Sequence, residues 1–141
     1  MDTHDKFALI GAGPMGLAMA KVLKEQGIAF DGFELHSDVG GLWDIDAPHS
    51  TMYESAHLIS SKTMTEFADY PMKDTVAEYP SHREMAQYFR DFAEHFDLRR
   101  HYQFNVEVLE VTPLGGTGDG WRVVTRQNGE TNEAIYAGVL I

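Results

Sequence analysis

The sequence predicts an α/β fold in three parts: a parallel sheet begun by the first residues, a helical insert, and a three-stranded antiparallel β-meander near the end of the chain. Three observations carry this expectation. Phe7-Ala8-Leu9-Ile10 is a continuous apolar run of the kind a strand buried on both faces requires, and Gly138-Val139-Leu140-Ile141 is another. Met15, Ala18, Met19, Val22 and Leu23, and later Met85, Tyr88, Phe89, Phe92 and Phe96, recur at helical spacing. Residues 102–111, 121–125 and 131–137 are β-rich runs joined by turn sequences, of which Asn128-Gly129 is a strong hairpin signal.

The first apolar run is followed at once by Gly11-Ala12-Gly13-Pro14-Met15-Gly16, a G-x-G-x-x-G sequence between a strand and a helix. Gly11 permits a tight turn, Gly13 lets backbone approach a pyrophosphate, and Gly16 lets the helix pack closely. The unpaired N–H groups and the positive end of the helix dipole then face the phosphates. Pro14 is tolerated because the first helical turn loses no hydrogen bond there, and Gly27 supplies the stop. A second apolar run, 28–34, ends in Glu34, eighteen residues after Gly16. That is near the spacing of about 20 at which a carboxylate accepts hydrogen bonds from ribose hydroxyls, and its charge repels a 2′-phosphate, favouring FAD or NAD over NADP. A glycine triplet alone is weak evidence. Strand, turn, helix, strand and acid in this order point to dinucleotide binding rather than to a turn needed only for helix packing.

Beyond Glu34 the chain runs through His36-Ser37-Asp38-Val39 into Gly40-Gly41-Leu42-Trp43 and a polar loop at Ala47-Pro48-His49-Ser50. Paired glycines allow backbone to lie against a flat ligand that Leu42 and Trp43 cover; an ordinary turn with a core tryptophan fits the same residues. Residues 53–70 are irregular, as functional segments inside compact domains often are. Pro71 and Pro80 bracket a polar loop. Ser81 and Glu84 form a capping box for the next helix, whose aromatic stripe reads as core and whose Asp91 and Glu94 read as a solvated face. Leu98 closes that helix, and Arg99-Arg100 suits its C-terminal end.

With 141 residues, 43% of them hydrophobic, the chain is one domain or a piece of one. A net charge of −11, from 22 acids against 11 bases without a long single-sign run, argues against nucleic acid or an anionic membrane surface as partner. No cysteine is present, which excludes disulfides, thiol chemistry and cysteine-ligated metal and fits a reducing compartment. The polar start and the lack of any stretch near about 20 apolar residues give neither signal peptide nor membrane helix, so a cytoplasmic protein is expected. The seven histidines lack metal-ligand spacing and read as surface or satisfied groups; no metal site is expected. Neither a G-x-S-x-G elbow nor a G-x-x-x-x-G-K-[ST] loop occurs, and Lys62 beside Ser60-Ser61 reads as solvated.

A nucleotide unit, a long insert and a meander in place of a crossover helix is the order of FAD domains of the glutathione-reductase type. Within that group the chain resembles flavin-containing monooxygenases, which use FAD, NADPH and dioxygen to oxygenate nitrogen, sulfur or ketone groups of small-molecule substrates. Gly11, Ala12, Gly13, Pro14, Met15 and Gly16 resemble the family's FAD pyrophosphate loop. Phe33-Glu34 followed by Gly40-Gly41-Leu42-Trp43 is similar to its ribose acid and the backbone passing the flavin. Tyr53-Glu54-Ser55 and Ser60-Ser61-Lys62, with Met64, Phe67, Asp69 and Pro71, resemble the segment leading to the active site, and Tyr79-Pro80 with residues 88–98 resembles the helix that follows. The resemblance implies that Ser60 lies beside both flavin and nicotinamide and that the Val108 backbone meets the adenine.

One departure bears on chemistry: Ile59 stands where the family has an asparagine near the reacting flavin edge, and isoleucine neither donates nor accepts. A second is that the family's NADPH glycine motif and the later segment that completes its FAD domain lie outside these residues. The expectation is therefore a Rossmann-like FAD-binding domain, incomplete, with residues 1–141 as its N-terminal part and no catalytic residue assigned. The alternative is a non-catalytic dinucleotide-binding module that needs a partner chain. Such a fragment is expected to self-associate through its incomplete sheet. An NAD-dependent dehydrogenase domain is disfavoured by the meander.

Overall fold

The computed structural model describes residues 3–141. Strand β1 (Phe7–Ile10) leads through the glycine turn into helix α1 (Pro14–Glu25), and β2 (Phe30–Phe33) returns beside β1 in parallel, with Phe7 opposite Phe30 and Ile10 opposite Phe33. Pro14 opens α1 as expected, and the chain leaves it through Gly27 at a φ of +66°, which a glycine adopts without strain. A 3₁₀ turn (Gly41–Trp43) and a one-turn helix α2 (Lys62–Thr65) punctuate the insert before α3 (His82–His95). After a second 3₁₀ turn (Arg99–His101), β3 (Tyr102–Gln103) precedes the strands β4 (Glu107–Pro113), β5 (Trp121–Gln127) and β6 (Glu130–Tyr136), and β7 (Gly138–Leu140) follows.

The strands form two sheets. One is parallel in the order β3-β2-β1-β7, and the other is the expected antiparallel meander β4-β5-β6. Residues 102–111 are thus not one strand. Asn105 turns the chain at a φ of +58°, its N–H donates to the His36 carbonyl, and the Val106 N–H donates to the Glu34 carbonyl. A single β-rich run in this way serves two sheets.

The capping box forms as expected: the Glu84 N–H donates to Ser81 Oγ at 3.2 Å, and the Ser81 N–H to Glu84 Oε2 at 2.9 Å. Met85, Tyr88, Phe89 and Phe92 are buried on the core face of α3, where they join Leu9, Leu17, Val39 and Leu98. Helix α1 departs from expectation. Its buried residues are Leu17, Ala20, Lys21 and Leu23, whereas Met15, Met19 and Val22 are exposed, Met15 by 80%. Two apolar stripes overlap on this helix, and packing against α3 selects the one containing Leu17. Lys21 is tolerated there because its ammonium pairs with Glu25 and Asp69 and lies 4.8 Å above the Phe96 ring.

A smaller core of Ala8, Phe33, Val106, Val123 and Tyr136 fills the space between the parallel sheet and the meander. Ala8 and Leu9 point to opposite faces of β1, as the pleat requires, so this strand supports both cores. Among the described residues, no helix is long and apolar enough to cross a membrane.

Candidate functional site

The site is built around the turn between β1 and α1. Gly11 has a φ of +103°, its N–H donates to the Phe33 carbonyl at 2.8 Å, and its own carbonyl accepts from the Tyr102 hydroxyl at 3.0 Å. The Ala12 N–H donates to Glu34 Oε2 at 2.5 Å, and the His36 N–H donates to Glu34 Oε1 at 3.0 Å. Glu34 therefore points into the turn, 5% exposed, with both oxygens on backbone donors. A carboxylate has about four acceptor positions, so capacity remains beyond these two bonds.

Gly13 caps α1 without offering a side chain to the first N–H groups of the helix. Those groups and the dipole form an anion-accepting end. Close approach explains two of the glycines. A Cβ on Gly16 would stand 2.1 Å from the Gly11 carbonyl oxygen, and one on Gly41 would stand 2.9 Å from Gly13 Cα at a φ of +59°. The Gly40 N–H donates to the Ala12 carbonyl at 3.0 Å, which brings the 3₁₀ turn carrying Leu42 and Trp43 onto the glycine turn.

Two cavities meet here. One of about 340 Å³ is lined by Gly11, Gly13, Pro14, Met15, Gly16, Gly41, Leu42 and Trp43. The other, about 310 Å³, is lined by Ile10, Gly11, Phe33, Glu34, Leu35, Val106, Glu107 and Val108. Ile10 and Gly11 belong to both. Ten of the twelve residues singled out from sequence thus line one two-lobed groove, with the glycine turn at its waist, the Glu34 and Glu107 carboxylates and apolar side chains in one lobe, and an indole in the other. Ala12 is fully buried and takes part through its backbone alone. Ser60 lines neither cavity; its hydroxyl lies 2.7 Å from that of Thr65, and the neighbouring Ile59 is 96% exposed.

The turn bearing Leu42 and Trp43 is held from outside by charge. Asp38 lies 2.9 Å from Arg99 Nε and 3.7 Å from Arg90 Nε, while Arg90 Nη2 reaches Asp44 at 3.2 Å. Burial works to raise the Asp38 carboxyl, but the Arg99 hydrogen bond, the Val39 N–H and the two guanidinium charges outweigh it and hold the group below its usual range. These partners escape sequence reading because Asp38 and Arg99 are 61 positions apart, as Tyr102 and Gly11 are 91 apart. No local pattern marks either pairing.

Two expectations about side chains are corrected. Lys62 is not simply solvated: its ammonium donates to the carbonyls of Lys73, Asp74 and Val76 and folds the 71–80 loop around itself. The histidines are not all surface or satisfied either. His82 is 1% exposed with Nδ1 unpartnered, and His101 keeps a buried Nε2 unpartnered while its ring stacks on Phe30 at 5.0 Å. Burial, followed by the Arg100 and Lys24 charges, pushes the His101 imidazole below its ordinary value. Among the described residues, no cluster of histidine, aspartate and glutamate could hold a metal ion.

The profile of the flavin-binding monooxygenase-like family matches residues 4–141. The chain is 36% identical over 142 residues to flavin-containing monooxygenase 5 of Mus musculus, an alignment covering 96% of this chain and 27% of that protein. Among solved structures, S-allyl-L-cysteine S-oxygenase from Allium sativum superposes with a TM-score of 0.84 at 28% identity, over 95% of this chain and 35% of that one. An oxidized steroid monooxygenase bound to NADP superposes with a TM-score of 0.77 at 25% identity, over 94% and 25%. The chain spans about a quarter of the length of the curated relatives it matches.

Proposed function

The chain belongs to the flavin-binding monooxygenase-like family, and from that premise we propose that it is the FAD-binding portion of an NADPH- and oxygen-dependent monooxygenase acting on a small nitrogen-, sulfur- or ketone-containing molecule. The observation that carries this reading is the two-lobed groove whose lobes meet at Gly11, with Glu34 and Val108 on one side and Leu42 and Trp43 on the other. A dinucleotide has the same plan, with a pyrophosphate between two ring systems.

The fit can be judged from the glycines. The place a Cβ on Gly41 would take lies against Gly13 Cα, so any side chain there would close the passage between the two turns. In this reading the N–H groups opening α1 hold the pyrophosphate, and the free lone pairs of Glu34 accept from the ribose hydroxyls. Val106 and Val108 would line the adenine end, and Leu42 and Trp43 the flavin end. By the resemblance, Ser60, in the loop before α2, would stand near the flavin edge. Bound there, FAD would supply the redox chemistry between NADPH and dioxygen, while the protein binds, orients and excludes water. A cytoplasmic setting belongs to the same proposal.

A non-catalytic dinucleotide module is the second reading, favoured by one observation: Ile59, almost fully exposed, stands where the resemblance has a hydrogen-bonding asparagine. Gel filtration of the chain after incubation with FAD, followed by its visible spectrum, tests the shared premise. A flavin band travelling with the protein supports an FAD site in these residues. Complete loss of flavin from folded protein contradicts it.

A further inference from the structure

The peptide unit between Gly11 and Ala12 is gripped at both ends. Its carbonyl accepts from the Tyr102 hydroxyl at 3.0 Å, and its N–H donates to Glu34 at 2.5 Å. Both gripping groups are buried, Tyr102 at 7% and Glu34 at 5% exposure. The tyrosine has little freedom. A Cβ on Gly32 would stand 2.6 Å from its ring, and one on Gly16 would stand 3.4 Å from its hydroxyl, so the phenol is wedged between β2 and the start of α1. Burial, and after it the Glu34 charge, pushes the phenol far above its ordinary value, so it stays a proton donor at any working pH.

From this geometry we infer that Tyr102 is a positioning residue for the nucleotide turn: with Glu34 it locks the Gly11–Ala12 peptide before any ligand arrives, so that the N–H groups of Gly13, Met15 and Gly16 are set to meet the phosphates. The inference rests on the dinucleotide reading for its purpose but not for its test. Without the hydroxyl, the Gly11 carbonyl loses its partner and the peptide is held at one end only. Preorganised donors lose less freedom on binding than donors that must first be ordered.

The test is Tyr102→Phe, which removes one oxygen and keeps the ring. In the ligand-free chain, amide hydrogen exchange followed by NMR should quicken at Ala12 by about five- to tenfold, the equivalent of one buried hydrogen bond, while Phe92 and Ala93 in α3 exchange at the wild-type rate. FAD, as the probe, should bind more weakly by a similar factor. Exchange at Ala12 that is unchanged, or that quickens only as much as at Phe92 and Ala93, overturns the inference, as does FAD affinity equal to wild type. If the wild-type chain takes up no FAD, the dinucleotide reading falls, and the Ala12 exchange rate still decides whether the clamp exists.

Discussion

Gly16 and Glu34 are the residues on which the groove depends most directly, and they are vulnerable for different reasons. A methyl on Gly16 meets backbone oxygen at 2.1 Å and has nowhere to turn, so Gly16→Ala should destabilise the chain by about 1–3 kcal/mol, the range for overpacking. Thermal unfolding measures it; an unchanged midpoint would show that the turn yields freely. Glu34→Ala leaves the Ala12 N–H buried and unpaired, an expected loss of about 1–3 kcal/mol in stability. If Glu34 also holds the ribose, FAD affinity falls by about 1.5–3 kcal/mol in addition. Calorimetric titration separates the two effects, and unchanged affinity removes Glu34 from the ribose role. At this scale the sequence was informative where spacing is local: the glycines and the acid after β2 could be read directly. Tyr102 could not, because its importance lies in a hydroxyl reaching a carbonyl 91 positions away.

Elements succeed or fail with their ends and their anchors. Ser81 completes a capping box that sequence spacing alone disclosed, and Ser81→Ala should cost about 1 kcal/mol, read from the unfolding midpoint. The 3₁₀ turn of Leu42 and Trp43 has no such local signature. Its position depends on the Asp38 and Asp44 carboxylates meeting Arg90 and Arg99. The Asp38 carboxyl is held below its unfolded value, so its contribution is complete above that value and is lost as pH falls through the folded one. Acid titration should therefore loosen the Trp43 environment below about pH 4, seen as a shift in tryptophan emission that Arg99→Gln brings to neutral pH; emission unaffected by that substitution would show the clamp to be idle. The misread face of α1 has a related cause. Helical periodicity shows which residues share a face, but when two apolar stripes overlap, only the packing of Leu17 and Ala20 against the rest of the fold decides which is buried.

Over the whole molecule, β1 contributes to two cores, one against the helices and one against the meander, and the groove opens at the ends of β1 and β2, where parallel sheets in general receive nucleotides. The fold class and the meander were legible because their signals are periodic and turn-bounded. The split of residues 102–111 was not, since it depends on Asn105 bonding back to His36. Strand β7 lies at the sheet edge beside β1, and the chain is expected to self-associate along it; light scattering that finds a monomer at all concentrations would contradict that expectation. The central claim, that the groove holds a dinucleotide by its pyrophosphate and adenosine half, is tested most directly by calorimetric titration with FAD, FMN and ADP. FAD should bind at least about tenfold more tightly than FMN, a difference near 1.4 kcal/mol, and ADP should compete with it. FMN binding as tightly as FAD, with no competition by ADP, would contradict the account.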